Sequence, residues 1–359
     1  MLSLALVVIG LIVLTVGAEA LVRGASRLAV STGLSSLVIG LTIVAYGTSM
    51  PEMTVSTIAA LNEQPDVAVG NVVGSNIFNV LFILGVSALI VPLRVSTQLI
   101  RLDVPIMIGA SILALLFCLD GSISHIESVV FVVGIVSYTV FIIWYSRRNP
   151  NITDDSDVIV VEPTPRGWLK NIALILIGLV GLIAGAKWFV DGAIVIAREM
   201  GVSELIIGLT LVAIGTSMPE LATSVVASLR GERDIAVGNV VGSNIFNILG
   251  VLGISGVVSS NGIPVSPQVL SFDLPVMIAV AVVCLPVFYT GFTIARWEGA
   301  VFLGYYGAYT VYLFLSSTNH MAFGTFDQAM KWLVLPATAL ILTISMIQMI
   351  RSKQTQSLP

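Results

Sequence analysis

The chain has 359 residues, of which 57% are hydrophobic and 10% charged, and its mean hydropathy is +1.03. Soluble domains carry about 25% charged residues, so this composition predicts an integral membrane protein. With 16 Lys and Arg against 20 Asp and Glu, and no basic tract, the chain lacks the positive surface that a nucleic-acid partner needs. Cys118 and Cys284 lie in apolar runs without a CxxC pattern, which favours packing over a disulfide or a thiolate metal site.

Eleven apolar stretches are long enough to cross a bilayer, which takes about 20 residues of helix. They centre near residues 12, 45, 80, 110, 135, 180, 212, 247, 280, 307 and 341. The first lacks the basic segment and cleavage site of a signal peptide, so we expect a retained helix. The sequence therefore predicts an all-α, multi-pass integral membrane protein with about eleven transmembrane helices.

An internal duplication organises the chain. At an offset of 168, residues 33–81 align without a gap to 201–249, and 32 of the 49 positions are identical. Corresponding residues are five spans apart, an odd number, so the two copies must cross the membrane in opposite directions. The predicted units are a first inverted repeat at 1–146, a cytoplasmic linker at 147–168, a second inverted repeat at 169–317, and an additional C-terminal helix and tail at 318–359. Such inverted repeats are typical of secondary transporters, which bind substrate near the midplane where interrupted helices meet.

Each repeat places a glutamate after a proline at the middle of an apolar span. Glu52 follows Pro51, and Glu220 follows Pro219. A carboxylate at this depth costs a few kcal/mol, about 2.5–3.5 on insertion scales, so its repetition indicates a bound cation. Proline removes a backbone N–H and frees carbonyls of the preceding turn. Carboxylate, carbonyl, hydroxyl and amide oxygens together suit Ca²⁺ and other hard cations.

Polar side chains of the third and eighth spans are candidates to complete this site. Ser75 and Asn79 are four residues apart and share a helical face, as do Ser243 and Asn247. For four further asparagines the sequence leaves open helix-to-helix hydrogen bonding and ion contact: Asn71, Asn76, Asn239 and Asn244. Asp103 and Asp273 each precede a proline by two residues, and we interpret them as helix caps, with a role in the ion pathway as the alternative.

The doubled GTSMPE and GNVVGSNIFN blocks resemble the alpha repeats of the cation/calcium exchanger superfamily, especially prokaryotic sodium/calcium exchangers. The resemblance implies one Ca²⁺ site and up to three Na⁺ sites between helices 2, 3, 7 and 8. It gives Glu52 and Glu220 the central carboxylates, with carbonyls from Thr48 and Thr216. It implies that the flanking Na⁺ ligands are Ser49, Ser217, Ser75, Ser243 and the carbonyls of Ala45 and Ala213. Asn79 and Asn247 then line the middle of the site.

The resemblance therefore implies a Na⁺/Ca²⁺ antiporter of a prokaryotic inner (plasma) membrane that works by alternating access. We expect no enzymatic activity and no cofactor. The expected partners are the transported ions and membrane lipid, with no nucleic acid and no protein partner. Family members often carry Asp where this chain has Asn247. The counter-ion could therefore be H⁺ instead of Na⁺, which makes a Ca²⁺/H⁺ antiporter the main alternative. A cation channel is another. An intramembrane hydrolase is disfavoured because no nucleophile is paired with a base.

The basic residues predict the topology. By the predicted spans, 13 of the 16 Lys and Arg fall in loops on one side, which the positive-inside bias makes cytoplasmic. We expect an outside N-terminus and a cytoplasmic C-terminus. Alkaline phosphatase fused to the N-terminus should be active and a fluorescent protein fused to the C-terminus should be bright, whereas finding both termini on one side would show that a terminal span was miscounted.

Overall fold

Helices make up nearly all of the chain that the computed structural model describes, which is residues 2–148, 165–200, 213–318, 320–338, 340 and 343. The helices of the first half are α1 Leu2–Thr32, α2 Ser36–Thr48, α3 Met50–Leu61, α4 Pro65–Ile90, α5 Leu99–Cys118 and α6 His125–Arg148. Those of the second half are α7 Pro165–Glu199, α8 Ala213–Thr216, α9 Met218–Leu229, α10 Arg233–Val258, α11 Val269–Tyr289 and α12 Arg296–Ser317. A further helix, α13, runs over Phe323–Ala329 and continues as a π-helical turn at Met330–Val334.

Seven of the described helices are long and apolar enough to cross a membrane: α1, α4, α5, α6, α7, α10 and α11. The second predicted span is the broken pair α2–α3, and α8–α9 belongs to the seventh. Large apolar side chains such as Leu11, Ile12 and Val16 are more than half exposed, as a lipid-facing surface requires. The prediction of an all-α, multi-pass membrane protein is confirmed, while the number of eleven spans stays a prediction.

Parts of three predicted regions lie outside the described residues. They are the centre of the 147–168 linker, the start of the seventh span, and, in the C-terminal helix and tail, residues 319, 339, 341, 342 and 344–359. The described helices reach into both ends of the predicted linker, since α6 ends at Arg148 and α7 begins at Pro165. The last described residues pack on the second half, where the Tyr305 hydroxyl donates to the carbonyl of Val334 at 3.4 Å.

Two short ladders show that the repeats are inverted. The strands are β1 Leu93–Arg94, β2 Ser122–Ile123, β3 Ile263–Pro264 and β4 Thr293–Ile294. β1 and β2 flank α5, and their counterparts β3 and β4 flank α11. Because β1 pairs with β4 and β2 pairs with β3, both antiparallel, the start of α5 lies beside the end of α11. Equivalent elements of the two halves therefore lie on opposite faces of the protein.

The two longest helices, α1 and α7, pack against each other through glycines at seven-residue intervals. These are Gly10, Gly17 and Gly24 on α1, and Gly178, Gly185 and Gly192 on α7. A Cβ at any of the six would lie only 2.5–2.9 Å from the facing helix. Small residues allow such close backbone approach, which replaces the hydrophobic driving force that is missing between helices in lipid.

Gly178→Ala should therefore destabilise the protein, because its Cβ would lie 2.6 Å from the backbone nitrogen of Leu21. We expect a melting temperature in detergent at least about 3 °C lower than that of the wild type. Gly109→Ala is the matched control, since a Cβ there meets no described atom within 4 Å and alanine favours the helix. Equal melting temperatures for the two variants would contradict the close packing of α1 on α7.

Candidate ion-binding site

Each repeat contains a helix that is interrupted at a serine. Ser49 separates α2 from α3 with φ −84° and ψ 10°, and Ser217 separates α8 from α9 with φ −89° and ψ 8°. Proline lies in the first turn after each break, where its missing N–H costs nothing. Glu52 and Glu220 lie in the same first turns, so both carboxylates are at the positive end of a helix dipole.

Reciprocal hydrogen bonds join the two breaks. The Ser217 hydroxyl donates to Oε1 of Glu52 at 2.7 Å, and the Ser49 hydroxyl donates to Oε1 of Glu220 at the same distance. Both glutamates and both serines are fully buried. Each carboxylate is therefore held by the opposite half of the chain, and the two breaks meet at one place.

α4 and α10 bring the other predicted residues to this place. The Ser75 hydroxyl lies 3.4 Å from Oε1 of Glu52 and 3.1 Å from the Ser217 hydroxyl. Ser243 donates to the carbonyl of Ala45 at 3.4 Å. Both helices change here to π-helical segments, Asn79–Leu84 in α4 and Phe246–Leu252 in α10. π-Helical turns often mark functional sites, and these two segments contain Asn79 and Asn247.

Four buried side-chain oxygens of the predicted site residues have no hydrogen-bond donor within the described part of the chain. They are Oε2 of Glu52, Oε2 of Glu220, Oδ1 of Asn79 and Oδ1 of Asn247. Among the described residues no Lys, Arg or His forms an ion pair with either glutamate. Leaving such acceptors unpaired costs about 1–3 kcal/mol each, and more when they are charged. Carboxylate and amide oxygens of this kind are ligands that hard cations prefer.

Two carboxylates with neutral oxygens do not form an acidic cluster. The described part of the chain contains no group of three or more His, Cys, Asp or Glu that could hold a metal. A search for clustered acids would therefore miss this site. The repetition of Pro-Glu in both halves of the sequence is the feature that identifies it.

The predicted threonines lie beside the site and use their side chains for support. The Thr48 hydroxyl donates to Oδ1 of Asn239 at 3.1 Å, and that of Thr216 donates to Oδ1 of Asn71 at 3.3 Å. Ion contact through their carbonyls stays a prediction. Ala45 follows the π-helical segment of α2, and Ala213 is the first described residue of α8.

Sequence reasoning left the role of Asn71 and Asn239 open, and the structure shows that they support the glutamate backbone. Asn71 donates to the carbonyl of Glu52 at 3.2 Å and to Ser56 at 2.9 Å. In the second half, Asn239 donates to the carbonyl of Glu220 at 3.3 Å and to Ser224 at 3.0 Å. In the sequence, this role could have been inferred from the repeat, because asparagine and serine recur at the corresponding positions 168 residues later.

The interpretation of Asp103 and Asp273 as helix caps is wrong. α5 begins at Leu99 and α11 at Val269, so both aspartates lie inside their helices, and neither side chain makes a capping hydrogen bond. Asp103 instead accepts from Tyr138 at 3.0 Å and from Gln98 at 3.2 Å. Asp273 accepts from Tyr309 at 3.0 Å. These repeated Asp–Tyr pairs join α5 to α6 and α11 to α12.

Inverted repeats that meet at two buried carboxylates with unpaired oxygens define a class of protein, the multi-pass membrane carriers of cations. A family model described as sodium/calcium exchanger protein matches residues 2–144 and 170–315, and the chain belongs to this family. It is accordingly a cation exchanger of the cation/calcium exchanger superfamily.

Two relatives and a solved structure illustrate the similarity. The sodium/calcium exchanger MaX1 of Methanosarcina acetivorans is 35% identical over 86% of this chain and 97% of its own length. The inner membrane protein YrbG of Escherichia coli is 38% identical over 79% of this chain and 87% of its own length. A structure of the sodium-calcium exchanger NCX_Mj, soaked with 10 mM Na⁺ and 10 mM Sr²⁺, has a TM-score of 0.72 at 32% identity, covering 84% of this chain and 95% of that one.

Replacing either buried glutamate by glutamine tests whether these oxygens hold a cation. Glu52→Gln and Glu220→Gln each remove one of two negative charges, so Ca²⁺ binding by the purified protein should weaken at least about tenfold. Equilibrium binding of ⁴⁵Ca²⁺ measures this effect, with Glu63→Gln in the exposed turn between α3 and α4 as the control. Unchanged binding by a correctly folded Glu220→Gln protein would remove the centre of the site.

Proposed function

We propose that the protein exchanges Na⁺ for Ca²⁺ across the membrane by alternating access, with the ions bound between α2–α3, α4, α8–α9 and α10. One observation carries this proposal. The reciprocal bonds between Ser49 and Glu220 and between Ser217 and Glu52 leave two carboxylate oxygens buried, adjacent to the breaks and unpaired. These oxygens suit a divalent hard cation better than a protein donor.

The proposed ligands divide between the two ions. Ca²⁺ takes the central position between Glu52 and Glu220, with the carbonyls of Thr48 and Thr216 and the amide oxygens of Asn79 and Asn247. Na⁺ takes flanking positions, whose ligands are Ser49, Ser75, Ser217, Ser243 and the carbonyls of Ala45 and Ala213. Hydroxyl and carbonyl oxygens without a carboxylate of their own suit a monovalent hard ion.

Charge explains why this site favours exchange over leak. Two unit charges about 6 Å apart at an effective dielectric of about 20 repel by about 2.8 kcal/mol. An empty, doubly ionised site therefore resists closure in a dry environment. One Ca²⁺ or two Na⁺ cancel the charge, and three Na⁺ leave a single positive charge. Only the loaded protein then changes between inward-facing and outward-facing forms, which makes the two fluxes obligatorily coupled.

A Ca²⁺/H⁺ antiporter is the second candidate. The observation in its favour is that Asn occupies both position 79 and position 247, so the site holds at most two negative charges. Two protons on Glu52 and Glu220 would neutralise it as well as one Ca²⁺ does. Similarity to the sodium/calcium exchanger MaX1, of which this chain covers 97%, supports Na⁺ instead.

Proteoliposomes separate these candidates. With Na⁺ trapped inside, external ⁴⁵Ca²⁺ should be accumulated, and a pH gradient without Na⁺ should drive none. The serines of the flanking positions are intact in both repeats, so we expect three Na⁺ per Ca²⁺. One positive charge then leaves per cycle, worth about 2.3 kcal/mol per 100 mV, and an inside-positive potential set with valinomycin should speed uptake.

The double variant Glu52→Gln/Glu220→Gln gives the background of this assay. Ca²⁺ uptake driven by an acid interior in the absence of Na⁺ would show that H⁺, and not Na⁺, is the counter-ion. Passive Ca²⁺ flux that follows the Ca²⁺ gradient without any counter-ion would show that the protein is a channel and not an exchanger.

A further inference from the structure

We propose that Asn76 and Asn244 are positioning residues that decide which end of the amides of Asn79 and Asn247 faces the ions. This inference rests on the proposed function, because it concerns ligands of the same site. Each orienting asparagine acts on the ligand of the opposite repeat. No ion contact is assigned to Asn76 or Asn244 themselves.

The orientation begins at two backbone carbonyls, which can only accept hydrogen bonds. The amide nitrogen of Asn244 donates to the carbonyl of Asn76 at 3.3 Å. The amide nitrogen of Asn76 donates to the carbonyl of Asn244, also at 3.3 Å. Rotating either side-chain amide by half a turn would place its oxygen against a carbonyl oxygen. Both amides are therefore fixed in one direction.

The fixed amides determine their neighbours. Oδ1 of Asn244 faces Asn79, so Asn79 presents its nitrogen and donates at 3.0 Å. Oδ1 of Asn76 faces Asn247 in the same way, and Asn247 donates at 3.1 Å. The side-chain nitrogens of Asn79 and Asn247 are thus both engaged as donors. Their Oδ1 atoms point away from these hydrogen bonds, and neither has a donor among the described residues.

Burial makes this direction consequential. Asn76 and Asn244 are 2% and 3% exposed, and Asn79 and Asn247 are fully buried. In such surroundings a misdirected amide cannot turn to water for a replacement partner. An unanchored Asn79 or Asn247 could present its NH₂ group to the cation, where a positive dipole end repels it. The network therefore gives the site two neutral oxygens without adding charge.

A simple structural tie between α4 and α10 would also explain hydrogen bonds between these asparagines. The two roles differ in which residues they couple. A positioning role couples Asn244 to Asn79 and Asn76 to Asn247, across the repeats. A structural tie lowers stability without distinguishing Asn79 from Asn247.

Double-mutant cycles on Ca²⁺ binding by the purified full-length protein make this distinction. Asn244→Ala alone should weaken ⁴⁵Ca²⁺ binding about threefold to tenfold, comparable to the loss of one ligand in Asn79→Ala. The double variant Asn79→Ala/Asn244→Ala should bind no more weakly than Asn79→Ala. In contrast, Asn247→Ala/Asn244→Ala should show the product of both losses.

The mirror set exchanges the partners, so Asn76→Ala should be coupled to Asn247 and independent of Asn79. It provides the same test if a variant of Asn244 fails to fold, as judged by size-exclusion chromatography. Thr57→Ala is the matched control, because it removes a hydrogen bond of 3.4 Å to Ser255, also between the halves. Its Ca²⁺ binding should be that of the wild type.

A rescue variant separates orientation from packing. An aspartate has two equivalent oxygens and no wrong end, so Asn79→Asp should restore Ca²⁺ binding to the Asn244→Ala protein. Asn247→Asp adds the same charge but still meets Oδ1 of Asn76, and should restore less. Equal rescue by the two aspartates, or additive losses in both cycles, would overturn the positioning role. Failure of the proposed function would instead be seen in the wild type, as absent Na⁺-driven flux.

Discussion

The structure depends on burying two carboxylates where no basic side chain of the described chain neutralises them. Moving such a group out of water costs several kcal/mol, and the protein offsets only part of this cost with a serine hydroxyl from the opposite repeat at 2.7 Å from each carboxylate. Because each serine comes from the opposite repeat, neither half can assemble the arrangement alone. The other carboxylate oxygens have no hydrogen-bond partner among the described residues, and in the proposed function a bound cation recovers the cost that folding leaves behind.

The inverted duplication determines where the rest of the chain can lie. A twofold relation between halves requires that every contact from the first to the second has a counterpart in reverse, as in the β1–β4 and β2–β3 ladders. The same relation places α1 beside α7, where glycines on both helices permit close approach. In lipid, such packing and the buried polar contacts are the main attractive forces between helices. The proposed ion site and the packing of α1 on α7 both follow from the twofold relation between the repeats.

The sequence alone predicted much of this arrangement, for identifiable reasons. A repeat offset of 168 and an odd number of spans are sufficient to infer inversion, and Pro-Glu in both copies is sufficient to locate the breaks. The sequence set Asn79 apart by its spacing from Ser75 but did not distinguish Asn71 from Asn76, which lie within two turns of the same helix. Their roles depend on partners in the other half, which local spacing does not reveal. Asp103 was misassigned because α5 begins one turn before the aspartate, at Leu99, through a π-helical segment.

Asparagine at both 79 and 247 has a consequence for how the site selects its ions. Two carboxylates give a charge that one Ca²⁺ or two protons balance equally well, so net charge alone cannot discriminate between them. The amide oxygens add attraction for a metal ion and nothing for a proton that is already bound to a carboxylate. That attraction depends on direction, since an amide turned by half a rotation repels the same ion. In the proposed function, ion preference therefore depends on the contact between the two halves as much as on the glutamates.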